Sequence, residues 1–152
     1  MTHDPTTTHG SPVVQVSLMM ENRVGSFSSV VTLLREAHVE VLGLSLVDSV
    51  DITIARLIVS DPDTAIQRFL ERGITHSACD VVVVELEHGA TGLSDCLKAL
   101  LEAETNIHFS YPLLVRANGH PLLALHLEDA DFSQSVLHQR GFRTLAQEDL
   151  SR

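Results

Sequence analysis

Apolar and polar positions alternate along this chain with a period that switches repeatedly between that of a strand and that of a helix. In residues 13–20, Val14, Val16, Leu18 and Met20 share one face and Gln15 and Ser17 the other, the period of two that predicts a β-strand. Residues 21–25 form a polar loop ending in glycine. A helix is predicted over residues 26–38, because Phe27, Val30, Val31, Leu34 and Ala37 recur at helical spacing, with Ser26 as its N-cap. A second strand over 39–47, a polar turn at 48–51 and a third strand over 52–59 complete a hairpin. Ser60-Asp61-Pro62 opens the next helix, with proline where its missing N–H costs nothing. Ala65, Ile66, Phe69 and Leu70 form its apolar face, and Gly73 closes it. A strand ending in Val81, Val82, Val83 and Val84 follows. Four consecutive valines suit a strand buried on both faces.

The order then begins again. Residues 88–92 form a polar, glycine-containing loop, and Leu93, Cys96, Leu97, Leu100 and Leu101 mark a helix. Ile107, Phe109 and Tyr111 alternate as in a strand. Asn118-Gly119 is a strong hairpin signal, since both residues tolerate the positive φ of a type I′ turn. Residues 122–127 return as a strand. A last helix over 129–140 places Phe132, Val136 and Leu137 inward and closes at Gly141, and residues 142–145 supply a final short strand. Gly25 and Gly92 are 67 residues apart, and at that offset Val30, Leu33 and Leu34 map onto Leu97, Leu100 and Leu101. The second helices match at 68, where Glu71-Arg72-Gly73 meets Gln139-Arg140-Gly141 and Asp61 meets Asp129. Each half therefore reads strand–helix–strand–strand–helix–strand, and the fold class expected is α+β, two ferredoxin-like βαββαβ repeats packed together. The boundaries expected are a disordered tail over 1–12, a first repeat over 13–78 and a second over 79–148.

Composition narrows the classes of function. The chain has 152 residues, of which 44% are hydrophobic and 20% charged, a balance suited to a globular protein. Ten basic against 20 acidic residues give a formal charge of −10. That argues against nucleic acid or an anionic membrane as partner, because both demand a cationic footprint. Cys79 and Cys96 lack the spacing of a zinc or redox motif and read as reduced thiols. The polar start of the chain offers no signal-peptide core, and no apolar stretch approaches the roughly 20 residues that span a bilayer. A cytoplasmic location is the expectation.

No catalytic or metal-binding constellation stands out. Nine histidines include no HExxH pair, and His3 and His9 fall in the tail. There is no G-x-S-x-G, Walker A or G-x-G-x-x-G sequence. Ser26 follows a glycine, but no base can be paired with it. No catalytic residue, metal ligand or cofactor is therefore assigned.

At Glu21-Asn22-Arg23-Val24-Gly25-Ser26-Phe27 the sequence resembles the ACT family, in which an apolar strand leads through a short polar loop with Asn or Asp and Gly into a helix packing Leu and Val. Val39-Glu40-Val41-Leu42 is similar to the strand that follows. His88-Gly89-Ala90-Thr91-Gly92-Leu93 is a weaker second copy with no asparagine at the place of Asn22. The resemblance covers residues 13–147. It implies a non-catalytic regulatory protein that binds an amino acid or similar small effector where domains meet. It also implies a homodimer, with a metabolic enzyme as further partner. An alternative implied function is the regulatory subunit of an amino-acid biosynthetic enzyme such as acetolactate synthase, although that subunit carries one ACT domain and here the repeat continues.

The loops can be argued physically as the ligand site. Gly25 permits close backbone approach, and the amides of Ser26 and Phe27 begin a helix whose dipole favours a carboxylate. Asn22 can accept from an ammonium or donate to a carboxylate. Gly92 and Leu93 offer the same groups in the second repeat. The residues expected to bind ligand are thus Asn22, Arg23, Val24, Gly25, Ser26, Phe27, Ala90, Thr91, Gly92 and Leu93. Gly43, Ser45, His108 and Ser110 are expected to line the side-chain pocket. Plain strand-to-helix turns would use the same residue types.

Overall fold

The computed structural model describes residues 10–151. Its elements are β1 (Val13–Glu21), α1 (Ser26–Glu36), β2 (Val41–Asp48), β3 (Ile52–Val59), α2 (Pro62–Glu71), β4 (His76–Glu85), α3 (Ala90–Glu102), β5 (Ile107–Ala117), β6 (His120–Leu127), α4 (Ala130–Gln139), β7 (Thr144–Leu145) and α5 (Gln147–Leu150). The α+β alternation expected from the periodicity is present in both halves. Most of the expected tail lies outside the described residues, as do His3 and His9. Its last residues are held: the Ser11 amide donates to the Glu148 carboxylate at 2.9 Å, and the Gln147 amide donates to the Ser11 carbonyl.

The strand order β4-β1-β3-β2 in the first half is repeated as β7-β4-β6-β5 in the second, with every neighbour antiparallel. β4 belongs to both. Its first part, His76 to Val81, pairs with β1, and its second part, Val82 to Glu85, pairs with β6 and β7. A bridge between Gly43 of β2 and Leu113 of β5 joins the other edges. The sheet thereby closes into a barrel, β1-β3-β2-β5-β6-β4 and back to β1, with β7 branching from β4. The hydrophobic pattern predicted two packed sheets but gave no sign that they share a strand.

Three cores follow from this closure. Outside the first half, Val30 and Leu34 of α1 and Ala65 and Phe69 of α2 pack on Val16, Leu18, Ala55 and Leu57. Outside the second, Cys96, Leu100 and Leu137 pack on Val82, Val84, Leu123 and Leu125. Inside the barrel, Val13, Leu42, Ile58, Val81, Val83, Tyr111, Leu122 and Ala124 meet, with Leu145 and Leu150. The four valines of β4 alternate between the last two cores, which is why all are buried and why no polar residue interrupts them. One polar contact crosses the interior: the Tyr111 hydroxyl donates to Gln15 Oε1 at 2.7 Å, and both side chains are buried.

The duplication is closest in the helix ends, at an offset of 66 for the first helix pair. His38 and Glu104 both take positive φ, and Val39→Leu34 and Thr105→Leu100 amide-to-carbonyl bonds close the two helices in the same way. Val30 and Leu34 thus correspond to Cys96 and Leu100. This corrects the 67-residue alignment, which paired Val30 with Leu97. Of the residues that mark α3, Leu93, Leu97 and Leu101 are 36%, 39% and 76% exposed, while Cys96 and Leu100 are buried together with Ala99. Leu70, placed on the apolar face of its helix, and Phe132, expected inward, are exposed. The second helices keep the offset of 68, with Asp61 and Asp129 each accepting from the amide three residues on.

Candidate effector-binding site

The first loop is held by its own backbone. Asn22 donates its amide to the Asp51 carbonyl and its side-chain Nδ2 to the Ser49 carbonyl, each at 3.2 Å, which ties the β1–α1 loop to the β2–β3 turn. Arg23 pairs with Glu21 at 3.5 Å on an exposed surface. Gly25, at φ 86°, is the N-cap of α1, and no side chain caps the helix. Ser26, expected as the cap, is instead the first helical residue, because Gly25 alone adopts the left-handed turn that the loop requires. Val24 projects into solvent, and Phe27 is half-buried against the first outer core.

The second loop is built differently. The N-cap of α3 is Gly89, so Ala90, Thr91, Gly92 and Leu93 form the first helical turn rather than the preceding loop. Gly92 is buried, and a Cβ on it would stand 3.7 Å from Leu86. Gly92 is therefore a packing position in the helix. The glycine that matches Gly25 in role is Gly89.

Each loop borders a surface depression at the same place in its half. The first, of about 510 Å³, includes Arg23, Ser26, Ser29, Arg72, Gly73 and Ile74 in its lining. The second, of about 430 Å³, includes Gly92, Asp95, Lys98, Arg140, Gly141 and Phe142. Ser26 and Ser29 correspond to Gly92 and Asp95 at the offset of 66, and Arg72-Gly73-Ile74 corresponds to Arg140-Gly141-Phe142 at 68. Of the residues expected to bind ligand, Arg23, Ser26 and Gly92 line the depressions, whereas Asn22, Val24, Gly25, Phe27, Ala90, Thr91 and Leu93 do not. Gly43 and Ser45 in β2 and His108 and Ser110 in β5 line neither.

The arginines after α2 and α4 were not among the expected residues, although the repeated Arg-Gly pair was visible as a mark of duplication. In the second depression Arg140 is hydrogen-bonded to Glu102, which lowers the Glu102 pKa; the charge attraction of Arg140 adds to this. Lys98, Asp95 and Glu87 complete a lining of both signs. Glu85, at its base, is buried, with His120 Nδ1 at 2.7 Å from one carboxylate oxygen and Arg143 at 3.7 Å from the other. Such a lining can take a zwitterion, with guanidinium for a carboxylate and carboxylates for an ammonium. Among the described residues no group of three or more His, Cys, Asp or Glu is placed to hold a metal.

A duplicated α+β unit with matching depressions where strands enter helices defines a protein made of two equivalent domains. The family model for the ACT domain pair matches residues 11–152, and the chain belongs to that family. A Bacteroides thetaiotaomicron protein of known structure is similar over 94% of this chain and 98% of its own, with 24% identity and a TM-score of 0.85. The ligand-free regulatory subunit of aspartate kinase from Thermus thermophilus shares 15% identity over 85% of this chain and 93% of its own, with a TM-score of 0.59. The corresponding subunit from Thermus flavus gives 16% identity over 85% and 92%, and 0.56. A comparison with curated protein sequences finds no match. No helix among the described residues is long and apolar enough to cross a membrane.

Proposed function

We propose that this protein is a non-catalytic regulator that binds an amino acid or a similar small zwitterion at the two depressions beside the β1–α1 and β4–α3 junctions. The observation that carries the reading is the placement of Arg72 and Arg140 at equivalent points, each lining the depression that borders the preceding helix of its half. Membership of the ACT family supports a regulatory role. The two modules are residues 13–78 and 79–148, each of βαββαβ form and joined through β4. The loop residues Asn22, Val24, Gly25 and Phe27, and Ala90, Thr91 and Leu93, act by setting the position of the helix starts, while Arg23, Ser26 and Gly92 border the ligand. The protein works in the cytoplasm as a homodimer, and its output is an enzyme of amino-acid metabolism. Likeness to regulatory subunits of aspartate kinase favours a kinase-type partner over acetolactate synthase.

A thermal-shift screen of the proteinogenic amino acids tests the reading. Ligand at 100 times its dissociation constant stabilises by about 2.7 kcal/mol, so one or a few related amino acids should raise the melting temperature. The shift should be reduced in Arg72→Gln or Arg140→Gln. Absence of any shift would remove the amino-acid reading.

A further inference from the structure

The open end of the barrel holds a charge with no partner. Arg56, in β3, points to the inner face of the sheet, where its guanidinium carbon stands 3.9 Å from the centroid of the Phe109 ring. No ion pair or side-chain hydrogen bond among the described residues includes it: the arginines so paired are Arg23, Arg68, Arg116, Arg140 and Arg143. In a chain of net charge −10, with twice as many acids as bases, Arg56 lies against an aromatic ring and not a carboxylate.

The register explains what surrounds it. Arg56 lies directly opposite Ser17 of β1 and Ser45 of β2, and Ser17 lies opposite Ser77 of β4. Directly opposed residues share a face, so one row across the inner face reads Ser77, Ser17, Arg56, Ser45. One step deeper are Cys79, Gln15 and Ile58, beyond which the interior is mainly aliphatic. One step outward are Met19, Ile54 and Val47, of which Met19 and Val47 are exposed. The opposing half presents aromatic rings. Phe109 stacks on His126 with centroids 4.7 Å apart and an interplanar angle of 9°, and Tyr111 follows Phe109 on the same face. His126 Nδ1 is buried and has no hydrogen-bond partner.

We propose that this open end binds a small carboxylate that has an apolar tail and no ammonium group, a 2-oxo acid or hydroxy acid of the aliphatic kind, with Arg56 as its anchor. The guanidinium lies over the Phe109 ring, and its N–H fork can take a planar carboxylate. The serine hydroxyls on either side can donate to the same oxygens. The tail would lie on Met19, Ile54 and Val47, an apolar patch otherwise open to water. An ammonium would find no counter-charge: the inward row contains no Asp or Glu, and Asp80, beside Cys79, points to the other face by strand alternation. The site differs in place and in ligand class from the loop depressions, so it goes beyond the regulatory reading above.

Binding of 4-methyl-2-oxopentanoate and of leucine to the full chain, followed by the Nε–H signals of the arginines in NMR, separates the two. Tyr111 is the sole tyrosine and there is no tryptophan, so tyrosine fluorescence gives a second local readout. The oxo acid should shift Arg56 Nε–H and Tyr111 emission saturably below about 1 mM, with leucine at least tenfold weaker there, a gap of about 1.4 kcal/mol. Arg56→Gln should weaken the oxo acid at least tenfold. The wild-type arginine signals decide the matter should that variant not fold. No saturable shift of Arg56, a shift confined to Arg72 or Arg140, or equal binding of leucine at Arg56 would each overturn the proposal. Amino acids that move only Arg72 or Arg140 would leave the regulatory reading standing alone.

Discussion

His126 shows how a single residue is tuned by where the barrel opens. Burial first, then the neighbouring His108 and then Arg56, hold its pKa below the ordinary 6.5. A base with a lowered folded pKa binds fewer protons folded than unfolded in the interval between the two values. Its contribution to stability is therefore complete above 6.5 and is lost as pH falls toward the folded value. The expected outcome is a urea midpoint that drops as pH falls below about 6.5, with a smaller drop in His126→Gln; equal drops in both proteins would show that other groups set the acid limb. At the same scale, burial pushes the Tyr111 pKa well above the ordinary tyrosine value, so its hydroxyl stays a donor to Gln15.

Among the elements, the second helices of the two halves were the most legible. Pro62 at the first position, Asp61 and Asp129 as caps, and Gly73 and Gly141 at positive φ all stand where local chemistry puts them. Those signals act within one turn, so sequence suffices to place them. Each of the two aspartates accepts from the amide three residues on at 3.1 Å, and Asp61 also accepts from the Thr64 hydroxyl at 2.6 Å. Asp61→Ala and Asp129→Ala should each cost about 1 kcal/mol in chemical denaturation, and a cost in only one would separate the halves energetically. Helix α3 was harder to read. Leu93, Leu97 and Leu101 form one stripe and Cys96, Ala99 and Leu100 another, so its apolar arc is too wide to fix its rotation. The helix turns the second stripe inward, and the loop ahead of it, expected to end at Gly92, ends at Gly89. That rotation is also why the expected ligand residues of the second half largely miss the depression, while Arg140, distant in sequence, reaches it.

For the whole molecule, closure was illegible because it depends on pairing between β2 and β5, some 70 residues apart, through a single bridge. Gly43 marks that seam: a Cβ there would stand 3.0 Å from Leu113 Cγ. No turn or positive φ calls for this glycine, so its cause could be seen only once the two halves were assembled. Gly43→Val should force the edges apart at a cost of about 1–3 kcal/mol, with faster amide exchange at Leu113 and little change near α2. Unchanged exchange would mean that the seam is looser than its geometry implies.

The strand shared by both halves has a mechanical consequence. β4 runs ten residues, roughly 33 Å at about 3.3 Å per residue, from beside Thr75 in the wall of one depression to Glu85 in the wall of the other. A paired strand resists changes of length along its axis, so β4 would couple the two ends as a rigid rod does. A displacement at one end would then reach the other without travelling through a hinge. Two occupants of one chain would then sense each other, and by thermodynamic reciprocity each would alter the other's affinity by the same factor.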